Sequence, residues 1–285
     1  MPDQHIIQRR VKSKWSMTVH KDTLIHKAGL VLPPGNWKDF DPFLVMAEDR
    51  MRRGAFDYHP HRGIETVTYM IDGVLNHSDN RGNQGKLKQG DTQWMSAGSG
   101  LLHLEEAPED DIAHLLQLWV NLPAANKMDT PRYQDIPYES LPIRLEDGAE
   151  IRVISGSSGG VRSATANYAP VIMLEILLRK GHTVKQDLRA DLNGFIYVLE
   201  GSGVFGSNEM EGRKNDVLWL EPSVDHPSEV AITATEPLKL LLFAGEPLRE
   251  PVAARGPFVM NTEAELDQAF KDFRDGKFGS WKDQH

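Results

Sequence analysis

Cysteine is absent from the 285 residues, which removes disulfides, thiolate metal sites and cysteine nucleophiles together. Any metal must then be held by His, Asp or Glu. Basic charge is also in short supply: 32 Lys and Arg against 41 Asp and Glu give a formal net charge of -9, so the chain repels phosphate backbones and no direct nucleic-acid partner is expected. No run approaches the roughly 18 apolar residues of a spanning helix. Met1 to Lys14 carries Asp3, His5, Arg9, Arg10 and Lys12 where a signal peptide would place an apolar core. A soluble, cytoplasmic protein with no membrane partner is the expectation.

Long amphipathic patterns are nearly missing too. Short apolar stretches with period-two character recur instead, broken by Gly, Pro, Asn and Asp: Thr66 to Ile71, Leu115 to Val120, Ile151 to Ile154, Ile172 to Leu178, Phe195 to Leu199, Val217 to Leu220 and Leu238 to Phe243. Many short strands with frequent turn signals predict an all-β sandwich or barrel. One helix is predicted near the end, where Thr262 and Glu265 form a capping box and Leu266, Ala269, Phe270 and Phe273 follow at helical spacing before Gly276.

The chain also echoes itself. Tyr69-Met70-Ile71-Asp72-Gly73 returns as Tyr197-Val198-Leu199-Glu200-Gly201, and Asp91-Thr92-Gln93-Trp94 returns as Asp216-Val217-Leu218-Trp219. Matched signals in the same order indicate a duplicated β domain. The turn-rich stretch from Asn121 to Pro142 reads as the connector, which gives domains of residues 1–134 and 135–285, the helix falling in the second.

His59-Pro60-His61 immediately precedes the strand Glu65 to Ile71, and side chains at i and i+2 of an extended chain share a face. About forty residues later His103-Leu104-Glu105 offers a second i, i+2 pair. If the two segments are neighbours, three imidazoles and a carboxylate converge, a set suited to a divalent iron, nickel, copper, manganese or zinc. Parity separates Glu105, on the face of His103, from Glu106 on the opposite one. Glu65 shares parity with the first pair but lies roughly 13 Å further along, and is read as a structural residue beside the site. The other histidines form no comparable pair: His77 sits among polar turn residues, His114 opens a strand, and His182 and His226 stand alone. The second copy has no His-x-His before Phe195 and only His226 after Trp219, so it is expected to be metal-free.

These residues resemble the pirin family of bicupins. The likeness spans nearly the whole chain: Asp41-Pro42-Phe43-Leu44, the run from His59 to Tyr69, Gly90 to Met95, Leu116 to Leu122, and Gly256-Pro257-Phe258-Val259-Met260-Asn261. The resemblance implies two tandem jelly-roll (cupin) β-barrels, and a metal in the first held at His59, His61, His103 and Glu105. One departure stands close by: Ala97-Gly98-Ser99-Gly100 has Ser99 where pirins usually carry arginine, which alters the local electrostatics and bears on partner contacts.

Pirin-like proteins are associated with two kinds of function. The first is flavonol dioxygenation, opening the heterocycle of quercetin with O2 and releasing carbon monoxide. The second is a regulatory binding module acting on a transcription factor or metabolic enzyme through a protein partner. For the first, Glu105 is the candidate base for the flavonol 3-hydroxyl, its plainer role being a fourth ligand, and Fe(II) is the leading metal with Ni, Cu, Mn or Co as alternatives. The same metal acting as a Lewis acid in an isomerase or hydrolase is a third reading of the ligands. A chain with both barrels is expected to work as a monomer.

Overall fold

Period-two burial runs strand by strand. In Leu101–Glu106 every second side chain is buried and the others are half-buried, and Ser228–Ala234 shows the same alternation, as a sheet with one face on a core requires. The computed structural model describes residues 6–223 and 227–280. Strands dominate them, and the apolar stretches fall where the pattern placed them: Thr66 to Ile71 within Ile64–Asp72, Leu115 to Val120 within Ala113–Asn121, and Phe195 to Leu199 within Asn193–Glu200. Among the described residues no helix is long and apolar enough to cross a membrane.

The strands form two compact units. In the first, a seven-stranded sheet runs in spatial order Arg132–Ile136, Thr92–Ser96, Ile64–Asp72, Ala113–Asn121, Phe43–Met51, His26–Leu32 and Thr18–Asp22; a four-stranded sheet runs His59–His61, Leu101–Glu106, Val74–Asp79 and Gln84–Lys88. In the second, the larger sheet runs Ile143–Glu146, Ala149–Ser155, Val171–Leu178, Leu238–Gly245, Asn193–Glu200, Asp216–Leu220 and Val11–Ser16. Its core is aliphatic, with Ile151, Leu174, Ile196, Leu218 and Leu240 all fully buried.

The internal echo is structural. In the first unit Tyr69 sits opposite Thr92 on one neighbouring strand and Leu116 on the other. In the second, Tyr197 sits opposite Val217 and Leu241, the same order of partners around the same tyrosine. Both strands then turn at a glycine of left-handed conformation, Gly73 at φ +79° and Gly201 at φ +77°, and a Cβ at Gly201 would lie 1.9 Å from the carbonyl oxygen of Pro237. Gly201→Ala is therefore expected to destabilise the protein by more than about 1 kcal/mol, because backbone strain adds to a backbone collision. The check is the urea midpoint; an unchanged midpoint would show that this turn is not constrained as described.

The units are not continuous stretches of chain. One comprises Met1–Met17 with Ser140–Pro247 and the other Thr18–Glu139 with Leu248–His285. The connector lies close to the expected position, but the division into residues 1–134 and 135–285 is corrected at both ends. Val11–Ser16 leaves the first unit because it pairs with Asp216–Leu220 and extends the sheet of the second. The C-terminal helix, Glu263–Arg274, carries the predicted capping box of Thr262 and Glu265. It belongs to the first unit, where Asp272 pairs with Arg62 at 2.9 Å, while Leu266 and Ala269 pack with Phe258, Met260 and Phe278 of the same C-terminal stretch.

Candidate metal centre

The two i, i+2 pairs meet as direct strand neighbours. His59–His61 runs antiparallel to Leu101–Glu106, with His103 opposite His59 and Leu101 opposite His61. The ring centroids of His59 and His103 are 4.3 Å apart and those of His61 and His103 5.0 Å. One ligand atom from each of His59, His61 and His103 lies within 4.8 Å of the others.

Hydrogen bonding sets which nitrogen each ring presents. A carbonyl oxygen only accepts, so the contacts of His59 Nδ1 with Asp57 O at 2.8 Å and of His61 Nδ1 with Pro257 O at 3.4 Å put the proton on Nδ1 in both rings. Nε2 is left with its lone pair. Burial pulls the His61 pKa down to about 3, the neighbouring His59 adding to the effect and the Pro257 carbonyl opposing it. Burial, followed by the charges of His59, His61 and His77, holds His103 well below the ordinary imidazole value. His61 Nε2 and both ring nitrogens of His103 are buried without a hydrogen-bond partner. Buried polar atoms are nearly always partnered, so the unpartnered nitrogens of neutral His61 and His103, converging with His59, fit a divalent first-row metal.

Glu105 shares the buried face of its strand with His103, and Glu106 points away, where Arg53 meets it at 3.3 Å. The Glu105 carboxylate stands apart from the three-nitrogen group: Oε1 accepts from Thr68 Oγ1 at 3.1 Å and Oε2 from Gln117 Nε2 at 2.7 Å. Thr68 and Gln117 are opposite each other on adjacent strands of the facing sheet, so Glu105 reaches across the barrel interior. Glu65 is fully buried and accepts from Ser96 Oγ at 2.5 Å. It lies outside the imidazole group.

Sequence reasoning passed over His77. It is buried on Val74–Asp79 directly opposite Glu105, 5.5 Å from the His103 ring and 4.7 Å from Tyr133. Burial lowers its pKa, with Glu105, Asp79 and Asp135 working against that shift. Burial and the nearby Asp79 push the Tyr133 hydroxyl pKa up. The signal was parity once more: His77 and Asp79 alternate as His103 and Glu105 do, but the turn-like sequence around them hid the strand. Trp119, 5.1 Å from His61, supplies an apolar wall.

In the second unit the strand Thr183–Leu188 pairs with Ser228–Ala234, the topological counterpart of His59–His61 on Leu101–Glu106. Its buried side chains are Val184, Gln186 and Leu188. There the buried Arg9 guanidinium donates to Ser228 Oγ at 2.8 Å, Leu192 O at 2.8 Å and Ala190 O at 3.0 Å. His226 lies outside the described residues.

A family model for pirin matches residues 8–120, and one for the pirin C-terminal cupin domain matches residues 173–279. Pirin-like protein 2 of Arabidopsis thaliana is 40% identical over 247 residues, which cover 85% of this chain and 77% of that protein. The chain belongs to the pirin family. Its two units are accordingly the two cupins of a pirin, with the terminal segments exchanged as described above. Among solved structures, a Geobacillus kaustophilus protein is 49% identical, covering 87% of this chain and 100% of its own, with a TM-score of 0.85. A quercetin 2,3-dioxygenase from Acinetobacter baumannii is 30% identical, covering 97% of this chain and 100% of its own, with a TM-score of 0.87. Pirin membership and the imidazole triad together support a metal-dependent role for the first cupin.

Proposed function

We propose that this pirin is a flavonol dioxygenase that uses a divalent metal, Fe(II) first among Fe, Ni, Cu, Mn and Co, to open the heterocycle of quercetin-like substrates with O2. The observation that carries the reading is the convergence of three imidazoles, two of them, His61 and His103, buried and held neutral, with a carboxylate next on the same strand face as His103. The whole-chain likeness to a protein described as a quercetin 2,3-dioxygenase adds to it. His59, His61 and His103 hold the metal in the first cupin, with Glu105 as fourth ligand or base, and the second cupin works without one. When bound, the metal supplies Lewis acidity for the substrate oxygen and a path for electrons to dioxygen.

The residues of the chain do the rest. Glu105 accepts the proton of the flavonol 3-hydroxyl, and Thr68 and Gln117 aim its carboxylate. Trp119 and the buried strand faces exclude water from the reactive flavonolate. Dioxygen adds across C2 and C4, C3 departs as carbon monoxide with the oxygen of the former 3-hydroxyl, and both oxygen atoms of O2 end in the ring-opened carboxylic ester. The test is anaerobic loading with each of the five metals, addition of quercetin and then admission of oxygen. Loss of the flavonol with one carbon monoxide released per molecule is expected for at least one metal. No turnover with any of them would overturn the proposal.

A further inference from the structure

Two consecutive residues at the end of the His59–His61 strand, His61 and Arg62, take partners from the C-terminal stretch of the chain, and the next, Gly63, is tied to it through Lys127. His61 Nδ1 faces Pro257 O at 3.4 Å. Arg62, buried to 4% exposure, donates to Asp272 Oδ2 of the C-terminal helix at 2.9 Å and lies over the Phe278 ring at 4.5 Å. The Arg62 carbonyl accepts from Val259 N at 3.1 Å. The Gly63 carbonyl is tied to the same stretch by Lys127, whose Nζ donates to Gly63 O at 2.9 Å and Val259 O at 3.1 Å. A fourth tie closes the far end, where Asn80 Nδ2 donates to Phe278 O at 2.7 Å.

These contacts differ in kind from ordinary packing. A carbonyl opposite a metal-ligating imidazole selects its tautomer and ring orientation, and loss of such outer contacts typically weakens metal binding by 10–100-fold. The carbonyl of Pro257 cannot hold its place alone, because the contact is long and Pro257 lies in the turn between Ala253–Arg255 and Phe258–Met260. What fixes the turn is its neighbour Phe258, bridged to Arg62, and Arg62 is fixed by Asp272, its charged partner, together with the Ser99 carbonyl, which accepts from Arg62 Nε at 2.8 Å. A buried guanidinium deprived of its carboxylate must move toward water or carry an unpaired charge, and either outcome disturbs the residue next to His61.

We infer that the segment Pro257–Phe278 is a positioning element of the metal centre: the Pro257 carbonyl sets the His61 tautomer, and Asp272, acting through Arg62, holds that carbonyl in place. The inference rests on the reading of the triad as a metal site. It assigns a purpose to the path of the C-terminal segment, which leaves the second cupin to finish on the first.

The experiment compares the full chain with Asp272→Ala, Asp272→Asn and Arg255→Ala. Arg255 pairs with Glu263 and Asp267 on the exposed side of the same helix, so its loss perturbs the helix surface and leaves the Arg62 chain intact. Zinc affinity is measured by competition with a chromophoric chelator, and the His61 tautomer by 15N NMR on metal-free protein. Asp272→Ala is expected to weaken zinc binding tenfold or more and to turn His61 from one tautomer into a mixture. Asp272→Asn keeps an acceptor for Arg62 and should fall between, while Arg255→Ala should match the parent. A single unchanged His61 tautomer with parental zinc affinity in either folded Asp272 variant would overturn the inference. Should Asp272→Ala fail to fold, Asp272→Asn decides. Failure of the parent to bind zinc would count against the metal site itself, and the tautomer measurement would still judge the positioning role.

Discussion

Turnover of quercetin is expected to fall by two to four orders of magnitude in Glu105→Gln, the usual worth of a positioned general base, with bound metal retained. The separation of the two effects follows from the geometry. His59, His61 and His103 converge on one another without help from the carboxylate, whereas both Glu105 oxygens are committed to Thr68 and Gln117. An amide at this position keeps one acceptor and turns an NH2 toward a group that also donates, so it neither takes the substrate proton nor keeps its aim. Metal content by elemental analysis and carbon monoxide release are read on the same sample. Loss of metal together with activity would make Glu105 chiefly a ligand, and undiminished activity with metal bound would remove it from the chemistry. His103→Ala differs in kind: it deletes one of the three converging nitrogens, so metal and turnover should disappear together.

The convergence of His59, His61 and His103 was legible in the sequence; the place of Glu105, turned to Thr68 and Gln117 instead, was not. Two short motifs with i, i+2 spacing named His59, His61, His103 and Glu105, and the pleat of a strand explains why: alternation is a local property, fixed by the backbone over three residues. His77 escaped because its strand, Val74–Asp79, reads Val-Leu-Asn-His-Ser-Asp, and nothing in those six residues reveals that Glu105 lies opposite. That information belongs to the pairing partner. The same distinction runs through the fold. The helix announced itself through Thr262, Glu265 and its apolar spacing, but its destination did not, since the apolar face of a helix does not say which sheet it covers. Val11–Ser16, with the sequence Val-Lys-Ser-Lys-Trp-Ser, has no strong pattern at all. It becomes a strand because the edge at Asp216–Leu220 supplies its hydrogen bonds.

The buried imidazoles also make the metal-free protein sensitive to acid. An unfolded chain protonates histidine near pH 6.5, whereas folded His61 resists protonation down to about pH 3 and folded His103 is likewise held well below its ordinary value, both through burial. Between these limits the unfolded state binds more protons than the native state, so stability is fully present above pH 6.5 and is lost as pH falls toward the folded values. From pH 7.5 to pH 5.0 the loss is about 2 kcal/mol for His61 alone, and His103 adds to it in the same direction, against the roughly 5–15 kcal/mol that holds a typical native state. His77, lowered in the same direction, adds to the trend. Urea titration of metal-free protein at the two pH values measures the loss directly. In His61→Gln, which cannot titrate, the drop should shrink by about 2 kcal/mol. A metal on the triad occupies the lone pairs that would take up protons, so the loaded protein should stay stable at pH 5.0 for as long as metal remains bound. Equal urea midpoints for metal-free protein at pH 7.5 and 5.0 would mean that these imidazoles are not held neutral by burial, and the basis for reading them as waiting ligands would go with it.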